Sequence, residues 1–148
     1  QRWKLARHVD GAMIGTAALR DRFREEAVPR LVPGLVVTVD VRDGRIAVEG
    51  WTRTAEVTAE ALALRCAALG VPRLLVTGTR RDGSLAGPDL ELLGAVVPAG
   101  VPVIAAGGVA TLDDLVALRE LGCEGAICGS ALLAGRFTLP EAIAALSV

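Results

Sequence analysis

Apolar residues fall along this chain in short runs separated by glycine, proline and charged turns, and the runs follow two spacings. Compact β-branched runs read as buried strands, and stretches with an apolar residue every three or four positions read as helices. Residues 1–8 read as the tail of a helix and 12–15 as a strand. A charge-rich helix follows over about 19–28, brought to an end by Pro29 and Pro33. Residues 35–41, Leu-Val-Val-Thr-Val-Asp-Val, are the most strand-like run, with one carboxylate, Asp40, near the C-terminal mouth. Asp43-Gly44 is a turn dipeptide, 45–48 a short extended piece, and Gly50-Trp51 closes a structured excursion over 42–53.

Residues 54–69 read as an Ala/Leu-rich amphipathic helix with Gly70 at its C-cap. Residues 73–77 are the next strand. The loop 78–88 carries Arg80-Arg81-Asp82-Gly83-Ser84 and ends in Gly87-Pro88, with Asp89 placed to cap a helix running to Val97. Residues 101–106 form a strand ending in Gly107-Gly108. Thr111 then opens a helix with Asp113 and Asp114 in its first turn, and Gly122 closes it. A strand over 125–128 and two short helices, about 131–133 and 139–146, complete the pattern.

The order is β-α five times over. Strands alternating with helices at roughly 25 to 35 residues per unit imply parallel pairing with right-handed crossovers. An open doubly wound sheet and part of a (β/α) barrel both satisfy that pattern. Asp40, Thr77, Asp82, Gly107-Gly108 and Gly129-Ser130 lie at or just after the ends of successive strands. That spread fits a barrel, whose catalytic face is built from βα loops, whereas an open sheet concentrates its site at one switch point. The expected fold class is therefore α/β, a partial (β/α)8 barrel, in a single unit over residues 1–148.

One motif occurs twice. Asp10-Gly11-Ala12-Met13-Ile14-Gly15-Thr16-Ala17-Ala18-Leu19 and Glu124-Gly125-Ala126-Ile127-Cys128-Gly129-Ser130-Ala131-Leu132-Leu133 share the order acid, Gly-Ala, apolar strand, Gly-hydroxyl, helix start. Backbone N–H groups, a hydroxyl and the positive end of a helix dipole converge in such a turn, which suits a phosphate. Gly-Ser and Gly-Thr are equally ordinary helix caps. The recurrence points to a duplicated ligand cup, with Gly129 and Ser130 in one copy and Gly15 and Thr16 in the other.

Composition narrows the classes. Half of the chain is hydrophobic, 52%, as expected when strands are buried on both faces. The most apolar stretch, 94–110, is interrupted by Pro98, Pro102 and Gly107-Gly108, which excludes a bilayer-spanning helix there. The basic opening lacks the apolar segment of a secretory leader. A net charge of -1 without a basic stripe argues against nucleic acid. Cys66, Cys123 and Cys128 are odd in number and form no CxxC, so neither zinc nor a disulfide framework is indicated, and they read as small buried residues of a reducing cytosol. His8 is the only histidine.

Taken in order, Val39-Asp40-Val41-Arg42-Asp43-Gly44, Gly50-Trp51, Thr77 with Arg81-Asp82-Gly83-Ser84 and Gly87-Pro88, Ala105-Ala106-Gly107-Gly108-Val109, and Gly129-Ser130-Ala131-Leu132 resemble the C-terminal half of the isomerase family of histidine biosynthesis. That family converts phosphoribosylformimino-aminoimidazole carboxamide ribotide from its aminoaldose to its aminoketose form. The resemblance implies a barrel of two similar halves, of which this chain holds strands four to eight. Strands one to three, and the general-base carboxylate at the end of strand one, are then missing. It also implies a bis-phosphorylated ribonucleotide substrate, no cofactor or metal, a cytoplasmic location, and a missing N-terminal half-barrel or a homodimer mate covering the open sheet edges.

The paralogous cyclase shares the half-barrel repeat, but Gly50-Trp51, Gly107-Gly108-Val109 and Cys128-Gly129-Ser130 resemble the isomerase more. A bifunctional form that also isomerises phosphoribosyl anthranilate has Arg two residues before the Trp, where this chain has Glu49. A non-enzymatic phosphate-binding half-barrel is the remaining alternative.

The implied reaction is an Amadori rearrangement. Ring opening needs an acid near the ribose oxygen and enolisation needs a base on C2, tasks that two carboxylates in different environments can divide. By the resemblance Asp82, beside Gly83 in its flexible loop, is the acid. Asp40 orients substrate hydroxyls or the carboxamide, Thr77 donates beside Asp82, and Trp51 stacks on the imidazole. Gly107, Gly108, Gly129 and Ser130 hold one phosphate and Gly15 with Thr16 the other. Without the resemblance, Asp82-Gly83 reads first as a plain turn, and Thr77 as a strand residue by propensity. Gly78 departs from the family, which usually has an acidic residue after that Thr.

Overall fold

The structure, a computed structural model, describes residues 12–15, 34–48 and 53–147. Its organising strand is β2, Leu35–Arg42, whose burial alternates strictly up to Val41. Leu35, Val37, Val39 and Val41 are buried on one side, and Val36, Thr38 and Asp40 are half-exposed on the other. Period-two alternation in a β-branched run puts one row of side chains on each face.

Strand β1, Ala12–Ile14, runs parallel to β2 with Ala12 opposite Leu35. On the other edge β5, Leu74–Gly78, pairs parallel from Val37↔Leu74 to Val41↔Gly78. Next come β6, Val103–Ala106, and β7, Gly125–Ile127, both parallel. The parallel strands thus follow one another in sequence order with no reversal. A doubly wound sheet reverses direction at its switch point, so this order is the arc of a barrel.

Beyond β1, the rest of that β2 edge carries a hairpin. Strand β3, Arg45–Val48, is antiparallel to β2, and β4, Arg53–Thr58, is antiparallel to β3. The β2–β3 turn is Asp43-Gly44, with φ of 52° and 73°. Two successive left-handed residues make the two-residue turn that matches strand twist, as the Asp-Gly pair predicts.

The helix expected over 54–69 begins later. Residues 53–58 are β4, and α1 is Ala59–Ala68, capped by Thr58, whose hydroxyl accepts from the Ala61 amide. Thr54, Glu56 and Thr58 are exposed while Ala55 and Val57 are half-buried, a period-two pattern. Pairing with a strand several residues upstream decides that segment, and helix propensity does not register such non-local pairing.

The remaining helices follow their punctuation. Helix α2, Leu90–Val96, is capped by Asp89. Helix α3, Leu112–Leu121, has a capping box of Thr111 and Asp114 and ends at left-handed Gly122. Helices α4, Gly129–Leu133, and α5, Leu139–Leu146, complete the set. Helix α1 packs on α2, α2 on α3 and α3 on α5, so successive helices line one side of the arc. Between them and the sheet lies the core, including Val37, Leu74, Val76, Val96, Val103 and Leu118. Each such side chain contributes about 1.5–3 kcal/mol by leaving water. Cys66 belongs to this core, whereas Cys123 and Cys128 are only half-buried, a correction to the expectation that all three are buried.

Candidate active site

The inner face of the arc, opposite the helices, carries a level row across four strands. Asp40 on β2 is the register partner of Thr77 on β5, Thr77 of Ala106 on β6, and Ala106 of Ile127 on β7. Parallel partners in register point their side chains the same way. A carboxylate and a hydroxyl therefore stand side by side close to the C-terminal ends of their strands. Thr38, two residues below Asp40, adds a second hydroxyl to this face.

The loop after β5 is tied down at the strand ends next to that row. The Thr79 amide and hydroxyl both donate to the Val41 carbonyl, at 2.9 and 3.0 Å, which ties the loop to the end of β2. The next residue, Arg80, reaches the hairpin turn, with Nη2 donating to Asp43 Oδ2 at 2.9 Å and Nε 2.6 Å from Oδ1. This hydrogen bond is the main reason the Asp43 carboxyl sits below its ordinary value. The Gly78 carbonyl accepts from the Arg81 and Asp82 amides at 2.9 and 3.1 Å, fixing the backbone of Asp82 while its side chain is exposed. Ser84 Oγ donates to the Arg81 carbonyl and accepts from the Ala86 amide, and Arg81 Nη1 donates to the Ala86 carbonyl.

The same rim carries the glycine turns. Gly107 and Gly108 follow β6 with φ of 94° and 85°, and the Gly108 carbonyl accepts from the Gly87 amide at 2.9 Å. Beyond them Asp114 Oδ2 accepts from the Ala110 and Thr111 amides at 2.9 and 3.0 Å, holding the entry to α3. Gly129 and Ser130 open α4 directly after β7 and are exposed. First-turn amides have no partner within their own helix, and this helix starts at the rim, one residue after β7. Gly15 directly follows β1, and a Cβ there would lie 3.3 Å from Thr38 Oγ1. Thr16 and Trp51 lie outside the described residues.

The structure thus brings Asp40, Thr77, the Asp82-Gly83 loop, Gly107-Gly108 and Gly129-Ser130 to one end of the sheet. Sequence reasoning missed the residues that hold them. Thr79 carried no signal, and Thr38 was legible only as a polar residue in phase with Asp40. Asp114 was noticed only for the helix dipole. A cleft of about 480 Å3 opens beside the Arg80–Asp43 anchor of the Asp82 loop, lined in part by Val41, Thr58, Asp89 and Glu91, and neither Asp40 nor Thr77 lines it.

Burial raises the thiols of Cys66, to about 11, and of Cys123 and Cys128 above their usual value, which keeps them protonated near neutral pH. Among the described residues no group of three or more His, Cys, Asp or Glu side chains could hold a metal ion. No helix there is long and apolar enough to cross a membrane.

A family model described as "Histidine biosynthesis protein" matches residues 2–138. Three relatives share the name 1-(5-phosphoribosyl)-5-((5-phosphoribosylamino)methylideneamino) imidazole-4-carboxamide isomerase. The protein of Frankia casuarinae is 50% identical over 134 residues, 88% of this chain and 53% of the relative. That of Methylobacterium nodulans is 44% identical over 147 residues, 96% of this chain and 58% of the relative. That of Rhodospirillum rubrum is 45% identical over 148 residues, 97% of this chain and 61% of the relative. The chain therefore spans somewhat more than half the length of the curated relatives it matches.

Proposed function

The chain belongs to the histidine biosynthesis protein family, and from that membership we propose that it is the C-terminal portion of an isomerase rearranging a bis-phosphorylated aminoaldose to its aminoketose. The observation that carries the reading is the level pair Asp40 and Thr77 with the Asp82 loop anchored above it at the strand ends. In this reaction the glycosylamine nitrogen pushes its electron pair toward C1 as the C1–O bond of the ribose breaks. Asp82 gives its proton to the departing ring oxygen. A base takes the C2 proton, the electrons left behind form an enamine, and ketonisation at C2 returns a proton to C1. No electrons leave the substrate, so no oxidant is needed.

Asp40, fixed on a strand, orients the substrate, and Thr77 donates a hydrogen bond at the same level. Trp51 stacks on the imidazole. Gly107, Gly108, Gly129 and Ser130 bind one terminal phosphate, and Gly15 with Thr16 binds the other. The base belongs to strand one of the whole barrel, so this chain alone has no turnover. The reaction runs in the cytoplasm.

The inner face supports the need for a partner. Met13 and Ile127 are 63% and 49% exposed there, and Leu139, Ile143 and Leu146 form an exposed i, i+4, i+7 stripe on α5. Open apolar surface next to a sheet edge needs covering, either by an N-terminal half-barrel or by a homodimer mate.

The test is turnover by this chain alone and after completion with the N-terminal portion of one of the isomerases. No activity alone and isomerisation on completion is expected. Ammonia-dependent ring closure by the completed barrel would instead identify the cyclase, and phosphate binding without turnover a binding module.

A further inference from the structure

Glycine pairs at the end of a barrel strand are ordinarily read as room for a phosphate. The geometry of this pair assigns it a second task. A Cβ at Gly108 would stand 2.2 Å from the Gly87 carbonyl oxygen and 3.0 Å from Arg81 Cβ. A Cβ at Gly107 would stand 3.0 Å from the Gly78 carbonyl oxygen and 3.3 Å from the Asp82 amide nitrogen. The two glycines therefore lie under both ends of the loop 78–87. Gly107 backs the hydrogen bond from Asp82 to Gly78, and Gly108 backs the point where Gly87 donates to the Gly108 carbonyl.

Both glycines are left-handed, and both are buried. A left-handed turn alone does not require such proximity. Gly70 has a φ of 70° with nothing within 4 Å of a Cβ built on it. At 108 the close approach of a second backbone excludes any side chain, since interiors packed at this density have no slack for an added methyl.

We infer that Gly107 and Gly108 are positioning residues for Asp82: they form the seat on which the Asp82 loop is docked, so the turn that faces a phosphate and the loop that carries the acid move as one body. The inference rests on the isomerase reading for the role of Asp82, but not for the docking itself. The loop is clamped from two sides, by Val41 and Asp43 on the hairpin side and by the glycine seat on the other. Removing the seat leaves only the hairpin side.

The test uses amide hydrogen exchange in the 148-residue chain, comparing Gly108→Ala and Gly107→Ala with Gly70→Ala, which carries a comparable backbone strain in open space. Gly108→Ala is expected to speed exchange at the Gly87 amide roughly tenfold, about the equivalent of one lost hydrogen bond, with Leu75 and Val76 unchanged. Gly107→Ala is expected to act first on Asp82. It carries the test by itself if Gly108→Ala does not fold. Loop exchange in both variants equal to that in Gly70→Ala overturns the inference.

A kinetic arm uses the completed barrel. A displaced Asp82 lowers kcat and alters its pH profile more than it raises KM. A rise in KM with kcat and pH profile intact would mean that the pair serves only the phosphate, which also overturns the inference. Absence of turnover in the unmutated completed barrel sinks the isomerase reading instead, and leaves the exchange result to decide the docking.

Discussion

The two faces of the sheet are made from the same strands and obey opposite rules. Toward the helices, β2 and β5 present Val37, Val39, Val41, Leu74 and Val76, all buried, and no polar side chain is buried in the described residues. Toward the inside, the same two strands present Thr38, Asp40 and Thr77, all half-exposed, with the buried Leu75 beside Thr38 as the exception. A position's parity along the strand therefore determines whether a substitution there is felt as stability or as chemistry.

The sharpest way to probe that division is at the rim. Asp82→Asn in the completed barrel is expected to cut kcat by about 10²–10⁴, the usual contribution of a positioned acid, with the melting temperature unchanged. A variant that keeps its rate removes Asp82 from the mechanism. On the outer face the effect inverts. Leu74→Ala, at a fully buried site, should cost about 2–5 kcal/mol of stability by urea titration, through lost transfer energy and the cavity left behind. A cost under about 1 kcal/mol would mean that the helices do not close on this face.

A smaller effect belongs to the helix that backs β6. Thr111→Ala removes the hydroxyl that accepts from the Asp114 amide and should cost about 0.5–2 kcal/mol. The same substitution leaves Asp114 Oδ2 accepting from the Ala110 and residue-111 amides, so faster exchange at the Asp114 amide, with the Ala110 amide nearly unchanged, is the local signature.

The smallest expected effect sits at the opposite end of the strands. Arg73, just before β5, ion-pairs with Glu124, just before β7, and its hydrogen bond holds the Glu124 carboxyl below the ordinary 4.5. The folded chain then releases that proton at lower pH than the unfolded one. The pair stabilises fully above the unfolded pKa and loses its contribution as pH falls through the folded value. Glu124→Gln should flatten the acid side of the stability profile, read from urea midpoints over about pH 3 to 6, and leave the neutral side nearly unchanged. An unaltered acid slope would show that the exposed pair does not couple to folding.

Much of this was readable from local signals. Asp43-Gly44, Thr111 and Gly122 each specify a turn, a helix start or a cap within a few residues, and each forms where the pattern placed it. The order of β and α left a barrel arc and an open sheet both possible, and the spread of Asp40, Thr77, Asp82, Gly107-Gly108 and Gly129-Ser130 over successive strand ends chose the arc. Residues 53–58 misled because their alternation is short and their partner strand is found only in three dimensions. Leu85, left-handed at φ 52°, carries no sequence signal, since leucine rarely adopts that conformation. The anchoring of the Asp82 loop was illegible for the same reason as β4: Val41, Asp43 and Gly108 approach it from distant parts of the chain.

Because the parallel strands lie in the order of their numbering, a nascent chain leaving the ribosome never has to wait for a distant segment. Each new strand finds its neighbour already made. Growth of the arc can therefore keep pace with translation, each parallel strand docking on the one made before it.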